Sequence, residues 1–271
     1  MSAQAIAPAT RLRTAFISDV HLGARECRAD LLLEFLDSVQ LDTLVVAGDL
    51  IDLWSLRKKV FWPPAHGEVI RAILAKAKRG TRVVYIPGNH DAEFRELAGA
   101  VFGNLEIHRE HVHVTADGRK LLVLHGDEFD GLVRCSRWLE WLGNAAYDFV
   151  LWLNRGFNFT RRLFGFPYWS LASWLKQRIG NAVEYIGRFE HAAAHAAQRR
   201  GMDGVICGHI HRARMTTLEG VLYCNDGDWV ENCTTLVEDL NGRLTVWNWA
   251  ERHAALTAVT AEVPARVGQA A

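Results

Sequence analysis

Residues 13–52 read RTAFISDVHLGARECRADLLLEFLDSVQLDTLVVAGDLID. RTAFISD is a short apolar run that stops abruptly in polar residues, the pattern of a buried strand. RADLLLEFLDSVQ carries the apolar spacing of an amphipathic helix, and DTLVVAGD is a second buried strand. Further along, HGEVIRAILAKAKRG predicts a second helix ending at Gly80, and TRVVYIPGN a third strand. Strand, helix, strand, helix, strand implies a parallel sheet with right-handed crossovers.

Beyond this core the pattern changes. LEIHREHVHVTADGRKLLVLHGD predicts a hairpin around Asp117-Gly118, and DGVICGH another buried strand. ARMTTLEGVLYCND and CTTLVEDLNGRLTVWNW carry hairpin turns at Glu219-Gly220 and Asn241-Gly242. The strand-rich second half predicts a second mixed sheet. Residues 128–200 differ in kind. They hold Trp138, Trp141, Trp152, Trp169 and Trp174, with phenylalanines and arginines interleaved, and read as helices. The domain is therefore expected over 11–250, with a helical aromatic-rich cap inserted at 128–200 and tails at 1–10 and 251–271.

Bulk properties narrow the classes. The chain has 271 residues, 49% of them hydrophobic and 23% charged, which suits a globular protein with a real core. A formal net charge of +0 and no Lys/Arg run beside the motifs disfavour nucleic acid as a partner. The five cysteines include no C-x-x-C, which favours reduced thiols in a cytoplasmic protein. MSAQAIAPATRLR lacks a signal-peptide core, and no run of about 18 apolar residues is present, so neither secretion nor a membrane span is expected.

The chemistry concentrates where strands end. SDVHLG supplies Asp19 and His21; AGDLID supplies Asp49 and Asp52; PGNHD supplies Asn89, His90 and Asp91. LHGDEFD supplies His125, and CGHIHR supplies His209 and His211. Functional groups in open α/β sheets gather outside the carboxyl ends of strands. Carboxylate, imidazole and amide are also the donor types that hold divalent first-row metals. Gly48, Gly88, Gly126 and Gly208 each precede a polar residue at these turns, where a missing Cβ permits positive φ or close approach. Asp, Asn and Gly are common in any loop after a strand, so one such end is weak evidence. Five in one chain, with histidines spread among them, are strong evidence.

These motifs, D-x-H, G-D-x-x-D, G-N-H-D, H-G-D and G-H-x-H in that order, resemble the calcineurin-like metallophosphoesterase superfamily. The resemblance implies a four-layer αββα sandwich with a helical cap insertion. It implies two divalent cations, Mn²⁺ first with Fe or Zn²⁺ as alternatives. One would be held by Asp19, His21, His211 and a bridging Asp49; the other by Asp49, Asn89, His125 and His209. It further implies that His90 assists departure of the leaving oxygen with Asp91 orienting it. Asp52 is expected to hydrogen-bond around the site, and Asp127 is equally readable as a helix cap. His108, His111, His113, His191 and His195 read as strand or surface-helix residues rather than ligands.

The aromatic insertion, DLWSLRKKVFWP and NDGDWVENCT are similar to the UDP-2,3-diacylglucosamine diphosphatase group of lipid A biosynthesis. That similarity implies cleavage of a pyrophosphate to UMP and an acylated sugar phosphate. Arg134, Arg137 and Trp138 would contact a nucleotide-linked or lipid phosphoester substrate. Arg155, Arg161 and Arg162 add charge to a surface suited to peripheral contact with an anionic membrane at its inner face. A cap that packs on the sandwich or mediates a dimer fits the same pattern, and oligomeric state is not encoded in it. One departure stands out: that group resembles G-N-R-D at the third motif, whereas this chain has His90. A histidine can protonate an alkoxide, which keeps other phosphomonoesters and phosphodiesters as the alternative. A non-catalytic scaffold would be expected to have lost a ligand, and no motif is missing.

Overall fold

The computed structural model describes residues 10–131 and 180–254. The first half follows the expected alternation: β1 (Thr10–Ile17), α1 (Ala29–Ser38), β2 (Val39–Val46), α3 (Pro64–Lys78) and β3 (Arg82–Tyr85), with a short α2 (Leu53–Lys58) before α3. β4 (Val101–Phe102) and β5 (Leu105–Ile107) follow, then the hairpin β6 (His111–Val114) and β7 (Lys120–Val123). α4 (Gly180–Arg199), β8 (Gly204–Cys207), β9 (Arg214–Leu218), β10 (Val221–Asn225), β11 (Thr234–Glu238) and β12 (Leu244–Asn248) complete the described chain.

Two sheets result, with strand orders β12-β11-β1-β2-β3-β5-β4 and β6-β7-β8-β10-β9. β1, β2, β3 and β5 run parallel in the first, and β7, β8 and β10 in the second. The second mixed sheet is present, but β11 and β12 do not join it. β11 pairs antiparallel with β1, so the end of the described chain returns to the first sheet.

Strand periodicity sorts side chains into layers. Phe16, Val45, Val84, Leu121, Val123 and Ile206 pack together between the sheets. Their neighbours Ile17, Val46 and Val83 turn outward onto Phe35, Leu36, Val69 and Ile73 of α1 and α3. Leu122, Val205 and Tyr223 turn onto Phe189, Ala193 and Ala197 of α4. The order is helix, sheet, sheet, helix, the four-layer sandwich expected. α4 is thus one of its layers, so the sandwich extends into the stretch assigned to the cap at 128–200. The alanine-rich sequence of α4 is what lets it lie close to the sheet. Burying Phe189 completely contributes on the order of 3 kcal/mol there. Glu238, fully buried on β11, ties the sheets together by accepting hydrogen bonds from Arg13 (2.7 Å) and His113 (2.7 Å).

Candidate metal centre

Because β1, β2, β3, β7 and β8 are parallel within their sheets, their carboxyl ends deliver the motif loops to one end of the sandwich. Among the described residues, three groups of donor atoms lie within 4.8 Å of one another: Asp19, His21 and His211; His21, Asp49 and His90; and Asp19, Asp49 and His125. The carboxylates divide their oxygens by task. Asp19 Oδ2 accepts from the His209 backbone N–H (2.8 Å) and the Ser18 hydroxyl (2.6 Å). Its Oδ1 faces His211 Nε2 at 3.1 Å and His21 Nε2 at 3.8 Å. Asp49 Oδ1 accepts the His90 N–H (2.8 Å), leaving Oδ2 toward His125 Nε2 (3.4 Å) and His21 Nε2 (3.8 Å). In each case one oxygen orients the group and the other is presented to the imidazoles.

The backbone is bent to make this possible. Asp19, His21, Asp49, His209 and His211 all have φ between +51° and +69°. The left-handed region costs a non-glycine residue roughly 1–3 kcal/mol and persists only where the surroundings enforce it. The expected positive φ at glycine is found at Gly48 and Gly126, but the candidate ligands adopt it themselves. Gly48 and Gly208 serve chiefly by close approach. A Cβ at Gly48 would overlap the His125 imidazole, and one at Gly208 would overlap Ser18 and the Asp19 carboxylate.

The imidazoles are held by second partners. His125 Nδ1 donates to the Ala47 carbonyl (2.9 Å), which turns Nε2 into the site, 3.1 Å from Asn89 Oδ1. Asp52 Oδ2 lies 3.5 Å from His21 Nδ1, and Asp52 Oδ1 lies 3.0 Å from His90 Nδ1. Asp52 is itself fixed by the backbone N–H and hydroxyl of Ser55, at the start of α2. Its place beside His90 corrects the expectation that Asp91 orients that ring. The Asp91 carboxylate faces the other way, accepting from the backbone N–H groups of Gly88 (2.6 Å) and Leu50 (2.8 Å) and from Tyr85 Oη (2.6 Å). Asp91 therefore builds the loop that carries Asn89 and His90. Asp127 caps no helix through its side chain; it pairs with Arg95 at 2.6 Å.

Electrostatics match a site built for cations. Burial alone would raise the Asp19 carboxyl, but His211 and His125 hold it well below the usual range. Burial likewise raises Asp49, and His125 and His21 outweigh it. Burial disfavours protonated His21, yet Asp52, Asp49 and Asp19 lift it to about 9. The cluster thus concentrates negative charge that draws protons onto its histidines, the protons that metal ions displace. Asp19 Oδ1 and His21 Nε2 are buried without a hydrogen-bond partner. Two orphaned donors of this kind, side by side with His211, fit a divalent cation with mixed N/O coordination.

Some of the site lay outside what the motifs revealed. Ser18 Oγ lies 2.6 Å from both Asp19 Oδ2 and Asp226 Oδ1. One hydroxyl donates only once, so Asp226 supplies the second proton, and burial pushes its carboxyl well above the usual range. The sequence signal was the polar Asn225-Asp226 end of β10, a sixth strand end. Trp54, about half exposed, stacks on His90 with ring centroids 4.1 Å apart. His209 stands differently from the other candidates. Its ring lies 5.1 Å from that of His125, and its Nε2 bonds Asp130 at 2.9 Å. Arg134, Arg137 and Trp138 lie outside the described residues. His191 and His195 are exposed on α4, and His113 is the buried partner of Glu238.

A family model described as calcineurin-like phosphoesterase matches residues 12–213. Among curated relatives, a UDP-2,3-diacylglucosamine hydrolase of Xanthomonas campestris is 26% identical over 258 residues, covering 85% of this chain and 97% of that protein. One from Serratia proteamaculans is 34% identical over 119 residues, 43% of this chain, and the match spans only 48% of that protein. Similar solved structures include a Vps29 variant from Entamoeba histolytica, with 13% identity, coverage of 86% and 89%, and TM-score 0.44. An archaeal phosphodiesterase has 14% identity, coverage of 86% and 98%, and TM-score 0.43.

Proposed function

The chain belongs to the calcineurin-like phosphoesterase family and is a metal-dependent phosphohydrolase, and on that premise we propose that it cleaves a pyrophosphate in a nucleotide-linked acylated sugar through two divalent cations. The observation that carries the metal reading is the buried, unpartnered pair Asp19 Oδ1 and His21 Nε2 beside Asp49, His125 and His211. Asp19, His21, His211 and Asp49 would hold one cation; Asp49, Asn89, His125 and His209 the other. We assign Mn²⁺ to both positions. Two such ions supply Lewis-acid charge for the phosphoryl oxygens and an activated water for in-line attack.

The protein's own groups do the rest. Asp49 and Asp19 spend one oxygen each on backbone N–H groups, so their facing oxygens are preset before substrate arrives. Asp52 accepts from His90 Nδ1–H and stabilises the ring when it is charged, leaving Nε2–H to protonate the departing oxygen. Trp54 restricts the ring to one plane. With one rotamer held from two sides, the proton waits at a fixed place.

The substrate assignment is supported by relatives named as UDP-2,3-diacylglucosamine hydrolases, one of them matched over nearly its whole length. With it we propose a cytoplasmic location, substrate contact through Arg134, Arg137 and Trp138, and peripheral contact with an anionic membrane through a surface that includes Arg155, Arg161 and Arg162. Among the described residues no helix is long and apolar enough to cross a membrane. The test is incubation with UDP-2,3-diacylglucosamine and Mn²⁺, following UMP. UMP release supports the reading. Hydrolysis of simple esters without UMP favours the second reading, a phosphomonoesterase or phosphodiesterase, to which the Asp52-backed His90 is suited.

A further inference from the structure

The second nitrogen of His209 is governed by side chains that are not themselves candidate ligands. Asp130 Oδ1 lies 2.9 Å from His209 Nε2 and accepts the Tyr185 hydroxyl at 2.6 Å. Asp130 stands at the end of the described first half of the chain, and Tyr185 in the first turns of α4. One helical turn later on the same face of α4, Phe189 packs its fully buried ring against that of His209, centroids 6.0 Å apart. Phe189 is wedged in turn against Phe129 (5.7 Å, edge to face) and against Gly126, where a Cβ would strike it.

We propose that Asp130, buttressed by Tyr185 and with Phe189 behind the ring, is a positioning residue that holds His209 in the Nε2–H tautomer and so dedicates its Nδ1 to the cation. The argument is one of donors and acceptors. A carboxylate only accepts, so the His209 nitrogen bonded to Asp130 carries the proton, and the lone pair is confined to Nδ1. His125 is set the opposite way, because Ala47 takes its Nδ1–H and frees Nε2. The neighbouring rings therefore offer different nitrogens, and each choice is made by a partner outside the metal position. Tyr185 donates to the oxygen that receives His209, which keeps that oxygen from rotating toward water. The Asp130 side chain is 46% exposed, so the effect belongs at the lower end of the 10–100-fold range for outer partners of metal ligands.

The inference rests on the proposed metal reading, and its test separates the two. In cation-free, ¹⁵N-labelled full chain, two-bond ¹H–¹⁵N spectra report which His209 nitrogen bears the proton, with His209→Gln assigning the signal. The wild type should show Nε2–H; Asp130→Asn, which keeps an acceptor oxygen, should retain it; Asp130→Leu should shift the population toward Nδ1–H. In parallel, Mn²⁺ titration followed by electron paramagnetic resonance should find one of two sites about tenfold weaker in Asp130→Leu, less weakened in Tyr185→Phe, and near wild type in Asp130→Asn. A wild-type tautomer and wild-type Mn²⁺ affinity in Asp130→Leu would overturn the proposal. If the wild type took up no Mn²⁺ while the tautomer still followed Asp130, the metal reading would fall and the positioning role would stand.

Discussion

The two halves of the candidate centre are built on different plans. Around Asp19, His21 and His211, the facing Asp19 Oδ1 and His21 Nε2 are buried and without a hydrogen-bond partner. Around Asp49, Asn89 and His125 the donors already touch one another, and the ring is anchored by a main-chain carbonyl, Ala47. Left-handed backbone occurs in both, at Asp19, His21 and His211 and at Asp49 and His209; the first half stores its readiness as unmet polarity, the second as hydrogen bonds. Asp49 belongs to both, and Asp52 reaches from the first half to His90. A site assembled this way has one residue whose loss breaks everything and others whose loss breaks one side.

The largest effect therefore belongs to Asp49→Ala. Hydrolysis should fall by at least ~10³-fold and metal content should drop below one ion per chain, read by turnover and elemental analysis. Full activity in this variant would remove the shared carboxylate from the scheme. Next comes His90→Gln, expected to lower kcat by about 10²-fold while leaving Mn²⁺ uptake intact. The drop should be greater for an alkyl phosphodiester than for a pyrophosphate, because the poorer leaving group depends more on the proton. An equal drop for both would argue against proton donation. Asp52→Asn should act on one half only, weakening the cation at Asp19, His21 and His211 by about tenfold and slowing turnover by a similar factor. Equal weakening of both positions would erase the distinction between the halves.

The smallest effect lies away from both. Burial, with Arg82, His113 and His108 nearby, lowers His111 from its ordinary 6.5 to about 4. Between those values the unfolded chain binds a proton that the folded one refuses, so stability falls as pH drops from about 6.5 toward about 4. Denaturant melts of wild type against His111→Gln across that window should converge as the difference disappears with rising pH. Acid sensitivity undiminished in His111→Gln would assign all of it to the metal centre instead.

Much of the fold was legible because central strands such as β3, β7 and β8 are almost wholly buried and announce themselves as apolar runs. The hairpin turns at Asp117-Gly118, Glu219-Gly220 and Asn241-Gly242 were legible because turn chemistry is local. β4 and β5 were not, being two and three residues long with no periodicity to read. Nor could turn residues show that β11 returns to β1, since pairing partners are chosen by which apolar face remains uncovered. α4 resembled part of an insertion because its alanines say only that something packs closely, not what.

The sequence by itself determined which strand ends carry chemistry and the donor types found there, because a polar cluster directly after a buried run has few other uses. Tertiary structure alone decided the assignments within that set. It turned Asp91 into the loop and Asp52 toward His90, put the left-handed strain on the ligands more than on their glycines, and brought Asp130 to His209 across 79 positions of chain. The physical reason is that a residue's type limits what it can donate or accept. Its partner depends on distance and direction, which only the packed sandwich supplies.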